Sequence, residues 1–359
     1  MNKKTFLFTK IKGIGGYRYI RMGIEEFNEE YKLDDILEYT SSNYHIHDSY
    51  LKANSVIGRY LRPCCSISGG KDSDIMLDII SKLDGDRRVK YVWFDTGIEY
   101  KATKDHLDYL EQKYGIEIIR EKAIKPIPTS CKQYGQPFLS KYISEMMSRL
   151  QQHNFQWEDD TYENLILKYP KCKSAIAWWT NQRKNNKHGY SQFNINYHRW
   201  LKEFIISNPP NFKISNKCCD FAKKQVSKKF VDREQCDLII VGIRKSEGGI
   251  RSAAYKNCFS NNDEKQEVSQ YRPLFWYSKA DEQEYDKLFN VRHSGCYEVY
   301  GLTRTGCVGC PYNIKIEEEL SVLEKYEPNL LVAAKNIFGD SYEYTKRYRQ
   351  YCREHKDCA

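Results

Sequence analysis

Between residues 51 and 130 the apolar positions change period in a regular way. The short run "CCSIS" (64–68) is followed by a stripe at Ile75, Met76, Ile79, Ile80 and Leu83, then by "VKYVWF" (89–94). A second helical pattern with Leu107 and Leu110 leads into "IEIIRE" (116–121). Short apolar runs alternating with amphipathic stretches of this length predict strands joined by helical crossovers, and hence a parallel sheet in an α/β fold. The alternation stops at about residue 131. Residues 131–213, with "AIAWWTNQRKNNKHGY" and "NYHRWLKEFI", are rich in Trp, Tyr, Asn and Lys and predict a mostly helical insertion. Strand pattern resumes in "CDLIIVGIRKSE" (236–247), and from 281 the chain turns helical again, most clearly in "EEELSVLEKY" (317–326). The expected organisation is therefore an N-terminal cap over 1–50, an α/β core over 51–130 and 214–280, the insertion at 131–213, and a helical C-terminal region at 281–359.

Bulk properties narrow the setting. A chain of 359 residues can bury a substantial core. No apolar run approaches the roughly 20 residues that span a bilayer, and "MNKKTFLFTKIKGIGG" lacks the apolar block of a signal peptide. A cytoplasmic protein without a membrane partner is expected. In that compartment 13 cysteines point to thiols and metal ligands rather than to a disulfide framework. The formal charge of +9 gathers in 183–188, 217–230 and 346–356, with aromatic residues nearby. Such patches suit a nucleotide's phosphates or a nucleic acid, DNA or RNA, and equally a solvated helix face.

The stretch with the most chemistry is "SISGGKDSD" (66–74), placed between a strand and a helix. Amides left unpaired at a helix start, together with the helix dipole, favour an anion there. Gly69 and Gly70 let the backbone approach a phosphate closely, while Ser68, Lys71 and Ser73 add donors and charge. Asp72 is positioned to act on phosphate or metal. The motif is neither the P-loop nor the dinucleotide-binding turn. The next strand ends in "FDTGIEY", which puts Asp95 at the carboxyl end, where ligands bind in open sheets. Asp95 would face the nucleotide or a magnesium ion, and Thr96 and Gly97 would line its adenine side; an ordinary turn is the alternative. Cys218 and Cys219 begin a helix, a position that lowers thiol pKa. Cys307 and Cys310 form C-x-x-C, a spacing that aims two sulfurs at one metal centre; a vicinal pair with one C-x-x-C differs from the paired knuckles of common zinc sites, although four thiolates could also hold zinc.

"SGGKDS" resembles the pyrophosphate loop of the adenine nucleotide alpha hydrolases, the ATP pyrophosphatases. Taken with D-T-G, Cys-Cys, "GIRKSEGGIR" and C-x-x-C, the order of motifs is similar to that of the phosphoadenosine phosphosulfate (PAPS) reductase family over most of residues 60–315. The resemblance implies the HUP-like, Rossmann-like fold of that superfamily, with Cys218, Cys219, Cys307 and Cys310 as ligands of a 4Fe-4S cluster. It also implies that Arg244 and Arg251 hold phosphate or sulfate, ordered by Glu247. Cys296, eleven residues before Cys307, is an alternative ligand in the branch that resembles DNA phosphorothioation enzymes, and Cys258 is a weaker one; Cys64, Cys65 and Cys236 are expected to pack as small apolar residues. Assimilatory reductases carry a degraded loop and a Glu-Cys-Gly-(Leu/Ile)-His tail. Here the loop is intact and the tail reads "REHKDCA", which leaves Cys358 without that context.

An intact loop implies ATP as substrate with magnesium. The expected reaction is cleavage of ATP to AMP and pyrophosphate, adenylating an acceptor for cluster-assisted sulfur transfer, with Lys71, Asp72 and Ser73 as the catalytic set. A separate sulfur donor such as a cysteine desulfurase is implied. The alternatives are a thiol-dependent, sulfite-forming reductase of PAPS or adenylyl sulfate, and a nucleic-acid-binding module that only senses nucleotide.

Overall fold

The computed structural model describes residues 8–11, 17–20, 33–183, 191–248, 254–261 and 268–355. Arg251, Cys358 and most of the 183–188 patch lie outside the described residues. The chain divides into two compact units. The first comprises residues 1–94, 100–121 and 227–306, the second 95–99, 122–226 and 307–359. Residues 281–306 thus group with the α/β core by contact, and residues 95–99 and 214–226 group with the insertion and the C-terminal helices.

The first unit is built on a six-stranded sheet of order β5-β4-β3-β6-β8-β7, where β3 is Pro63–Ile67, β4 Lys90–Asp95, β5 Ile118–Lys122, β6 Leu238–Val241, β7 Phe259–Ser260 and β8 Ser269–Tyr271. β3 pairs in parallel with β4 and with β6, β6 pairs in parallel with β8, and only β7 runs antiparallel to its neighbour β8. A separate antiparallel pair, β1 (Phe8–Ile11) and β2 (Tyr17–Ile20), precedes them.

β3 is almost wholly buried, as expected of a strand covered on both faces. The helix that follows it, α3 (Lys71–Leu83), sets Ile75, Met76, Ile79 and Ile80 into the core. α1 (Leu33–Thr40) and α2 (Tyr44–Ile57) precede β3. Asn43 caps α2 by accepting from the amides of His45 and Ile46. Ile46, Tyr50, Ala53 and Ile57 recur at helical spacing along α2 and join the same core as α3. α4 (Lys101–Tyr114) contributes Leu107 and Leu110 and ends at Gly115 in the left-handed conformation.

The second unit is helical. It contains α5 (Ile127–Tyr134), α6 (Lys141–Gln152), α7 (Tyr162–Lys168), α8 (Lys173–Trp179), α9 (Leu201–Ser207), the single turn α10 (Lys217–Cys219) and the start of α11 (Gln225–Glu234), with a π-turn over Asp220–Lys224. Two later helices, Ile316–Tyr326 and Pro328–Glu354, complete it. Its aromatic core gathers Phe138, Trp178, Trp179, Phe204, Tyr344 and Tyr348. Among the described residues no helix is long and apolar enough to cross a membrane.

Candidate functional site

The chain leaves β3 at Ile67 and turns at Gly69, whose φ of 69° lies in the left-handed region that favours glycine. A Cβ there would stand 2.7 Å from Thr103 Cγ2. The turn is tied internally: the Ser68 amide donates to Ser73 Oγ at 2.9 Å, and the Gly70 amide donates to Ser68 Oγ at 3.3 Å. Gly70 is the N-cap of α3 and has no side chain to close the amides of the first turn. The turn therefore stands at the positive end of a helix dipole, where an anion is favoured. Lys71 makes no ion pair among the described residues, and its Nζ stands over the Tyr297 ring, 5.2 Å from the centroid.

Asp72 and Arg244 meet at this turn. Arg244 Nε lies 2.8 Å from Asp72 Oδ1, and Arg244 Nη1 lies 3.2 Å from Glu282 Oε2. Gly242, at the end of β6, brings the backbone so close that a Cβ would sit 3.0 Å from the Asp72 carbonyl oxygen. Burial pushes the Asp72 carboxyl up to about 7, against the pull of Arg244 and with a further push from a hydrogen bond with Glu247. Asp72, Arg244 and Glu247 thus come together at this turn. Magnesium is commonly held by one or two carboxylates plus the phosphates of its substrate, and Asp72 with Glu247 offers that donor chemistry. Beneath the loop, Asp74 is fully buried between two histidines, 3.0 Å from His106 Nε2 and 2.9 Å from His293 Nδ1; His293 Nε2 reaches Asp286 at 3.0 Å.

The second unit holds the other half of the predicted set. β4 ends on Asp95, which folds back so that Oδ1 accepts from the Gly97 amide at 2.9 Å. Thr96 is 1% exposed; its hydroxyl donates to Glu99 Oε1 at 2.5 Å and also hydrogen-bonds Cys307. Thr96 is therefore committed to the cysteine group. Gly97 has φ 85°, and a Cβ on it would lie 2.7 Å from Pro126 Cβ.

Cys218, Cys219, Cys307 and Cys310 converge electrostatically. Cys219 acts on Cys307 and Cys310, Cys307 acts on Cys310, and Cys218 bonds Cys219 and feels Cys310. A fifth thiol, Cys131 on α5, hydrogen-bonds Cys218. The helix start was expected to lower the first two thiols, and the structure corrects this: both are raised. Cys218 is pushed up by its bond to Cys131, and Cys219 by its bond to Cys218, each with burial added; a single turn running into a π-turn has little dipole to oppose them. Burial also raises Cys307, and it pushes Cys310 up to about 12. The Lys223 ammonium is raised mainly by Cys307, with Glu99 and Cys219 adding to it, so a cation stands beside the thiols.

The C-x-x-C turn is braced. Gly309 has φ 63° and donates its amide to Glu319 Oε1 at 2.9 Å, while Asn313 Nδ2 donates to Glu319 Oε2 at 2.6 Å. Tyr342 Oη donates to the Gly309 carbonyl. Cys296 is in the first unit, fully buried, with Sγ 3.6 Å from Thr103 Oγ1. Cys64, Cys65 and Cys236 are buried apolar-like thiols of the sheet, and Cys258 is half-buried. Of the basic patches, Arg183 is bound to the Ser174 carbonyl at 3.0 Å, Arg349 pairs with Glu317, and Lys346 and Arg353 stay exposed. Lys223, Glu99, Cys131, Glu319, Tyr297 and Thr305 were not singled out by sequence. Only Lys223 carried a signal, four residues after a cysteine pair and so one turn along a helix.

The model of the phosphoadenosine phosphosulfate reductase domain matches residues 62–209 and 180–313. No curated relative matches the chain by sequence. Similar solved structures include the PAPS reductase from Candida auris in a phosphate complex, at 13% identity over 80% of this chain and 97% of that one, with a TM-score of 0.38. FMN adenylyltransferase from Candida glabrata aligns at 10% identity over 77% and 70% of the two chains, with a TM-score of 0.39. The U34-tRNA thiolase NcsA from Methanococcus maripaludis, with its 4Fe-4S cluster, aligns at 13% identity over 84% and 79%, with a TM-score of 0.36. With its domain model matched across the loop, the D-T-G turn and all four cysteines, the chain belongs to the PAPS reductase domain family, within the adenine nucleotide alpha hydrolase superfamily.

Proposed function

We propose that the protein is an ATP pyrophosphatase that cleaves between the α and β phosphates and adenylates an acceptor for sulfur transfer. The observation that carries this reading is the intact loop: Gly69 in the left-handed conformation, a helix start at Gly70 without a side-chain cap, and a Lys71 with no carboxylate partner among the described residues. That arrangement suits a pyrophosphate leaving group, whose charge the amides and the ammonium stabilise as it develops. Asp72 and Glu247 would hold magnesium, which supplies charge neutralisation on the phosphates. Arg244 holds the Asp72 carboxyl in place.

The donor chemistry of the second unit fits an iron-sulfur cluster on Cys218, Cys219, Cys307 and Cys310. Four coupled, largely buried thiols come from two distant segments, and Lys223 lies beside them. Among the described residues no three His, Cys, Asp or Glu side chains are grouped so as to hold a metal ion. When bound, such a cluster supplies iron at which sulfur can be held. The chain's own part is to exclude water by burial, to fix the C-x-x-C turn through Glu319 and Tyr342, and to offset negative charge with Lys223. The sulfur donor, a cysteine desulfurase, and a nucleic-acid acceptor belong to the same proposal, the latter because twelve Lys and Arg face three Asp and Glu between residues 161 and 226.

The test is product analysis on anaerobically purified protein with magnesium and ATP. With water taking the adenylyl group in place of the acceptor, AMP and pyrophosphate are expected, and Lys71→Ala should lower their formation about 10- to 100-fold, the loss of one charge-assisted contact. Sulfite from PAPS or adenylyl sulfate, without AMP and pyrophosphate from ATP, identifies a reductase instead. Neither product leaves a nucleotide sensor and refutes the enzyme.

A further inference from the structure

The phosphate loop has a second wall. A Cβ on Gly70 would lie 3.3 Å from Ser68 Oγ, 3.3 Å from Tyr297 Oη and 3.4 Å from Thr305 Oγ1, so three hydroxyls ring the middle of the turn. Tyr297 Oη is 3.0 Å from Thr305 Oγ1 and accepts from the Thr305 amide at 3.2 Å; the Lys71 amide is also within hydrogen-bond reach of it. Two N–H donors fill the lone pairs of the phenol oxygen. Its proton then goes to Thr305 Oγ1, and Thr305 passes its own proton on, or else the phenol donates directly. Either way a hydroxyl proton is left for an oxygen lodged at Gly70. Burial pushes the Tyr297 hydroxyl up to about 12, so it remains a donor at neutral pH.

The wall is pre-set. His293 Nδ1 binds Asp74 of α3 at 2.9 Å, the His293 amide donates to Glu298 Oε1 at 2.9 Å, and Ser294 Oγ donates to the Ala102 carbonyl at 3.1 Å. Cys296 Sγ contacts Thr103 Oγ1 of α4 at 3.6 Å. These anchors hold residues 293–297 against the two helices that flank the loop. A phosphate oxygen arriving at Gly70 meets donors already in position, which lowers the ordering cost of binding.

We propose that Tyr297 and Thr305 form a hydroxyl clamp on the pyrophosphate portion of the nucleotide, selecting polyphosphate over monophosphate ligands. The clamp rests on the pyrophosphate-loop reading given above. Its test is titration calorimetry of the full chain with inorganic pyrophosphate, with ATP and with AMP, each with magnesium, on wild type, Tyr297→Phe, Thr305→Val and Lys71→Ala. Tyr297→Phe keeps the ring under Lys71 and removes only the hydroxyl. It should weaken pyrophosphate and ATP together by about 10- to 100-fold, the range for a hydrogen bond to a charged group, and leave AMP unchanged. If wild type binds pyrophosphate in a Lys71-dependent way while Tyr297→Phe and Thr305→Val bind it as tightly, the clamp is wrong and the loop stands. An equal loss of AMP affinity in Tyr297→Phe also overturns the clamp, since it marks a structural role. If wild type does not bind pyrophosphate, or Lys71→Ala binds it unchanged, the loop reading itself fails.

Discussion

Gly69→Ala puts a numerical load on the turn that everything else depends on. At φ 69° an L-residue costs about 1–2 kcal/mol relative to glycine, because Cβ crowds the following carbonyl. The new methyl would also stand 2.7 Å from Thr103 Cγ2, and Thr103 is 2% exposed, so it has little room to yield. Exchanging the Thr103 methyl and hydroxyl would still leave an oxygen against the new methyl, and would give up the 3.6 Å contact of Oγ1 with Cys296. Overpacking of this kind costs about 1–3 kcal/mol, and the two effects sum to about 2–5 kcal/mol. Thr103→Ser removes Cγ2 and keeps the hydroxyl. The double variant should therefore recover the overpacking share and retain the backbone share, giving a coupling energy of about 1–3 kcal/mol in a double-mutant cycle. Hydrogen exchange of the β3 and β4 amides reads opening of the sheet that carries the loop. Protection in Gly69→Ala within about 0.5 kcal/mol of wild type, or an additive cycle, refutes the claim that this turn requires glycine against Thr103.

Two further outcomes follow from the same geometry. His293 is held protonated, up to about 9, by bonds to Asp286 and Asp74 that outweigh burial, with His106 on the far side of Asp74. Unfolded, it titrates at 6.5, so its contribution is whole below pH 6.5 and lost as pH rises through about 9. Wild-type stability should fall by on the order of 3 kcal/mol over that window relative to His293→Gln, measured by denaturant unfolding at fixed salt; parallel pH profiles would show that the histidine is neutral in the fold. Cys310→Ser should abolish the brown colour and the roughly four irons per chain expected of a cluster, whereas Cys296→Ser should retain them, because that thiol packs on Thr103; iron assay and visible absorbance decide both.

The sheet was legible because strands buried on both faces leave an unmistakable trace, an apolar run bounded by turns. β3, β4 and β6 fall largely within runs that stand out against the polar background, whereas β5, the edge strand IIREK, keeps only the end of one; the stripe on α3 marks the helix between the first two. β7 and β8, two and three residues long, are too short to carry any period. α2 is a different kind of miss. Its apolar residues at 46, 50, 53 and 57 have helical spacing, but the interleaved His, Ser, Lys and Asn dilute the stripe, and nothing local says that its partner is α3. Domain boundaries suffer most, since contact between residues two hundred positions apart decides them; residues 281–306 look like the helices that follow them, yet their bonds go to α3 and α4.

The site divides along the same physical line. Loop and cysteine pairs are legible because their chemistry is carried by neighbours in sequence: a left-handed glycine before a helix start, or two thiols three residues apart. What surrounds them is carried by bonds across the fold. Thr96 reads as part of a nucleotide-lining turn until its hydroxyl is seen to serve Glu99 and Cys307. Asp74 reads as one more acid in the first turn of a helix, and only the fold encloses it between His106 and His293. Tyr297 and Thr305 sit in a stretch dominated by cysteines, so their hydroxyls draw no notice until Gly70 is seen beside them. Motif residues specify where an anion can bind; the residues that decide which anion come from elsewhere in the chain, where no local pattern marks them. A variant series confined to the motif would therefore report on binding as such and pass over specificity, whereas Tyr297 and Thr305 are the positions at which the preference between AMP and a polyphosphate can change while the loop itself stays intact.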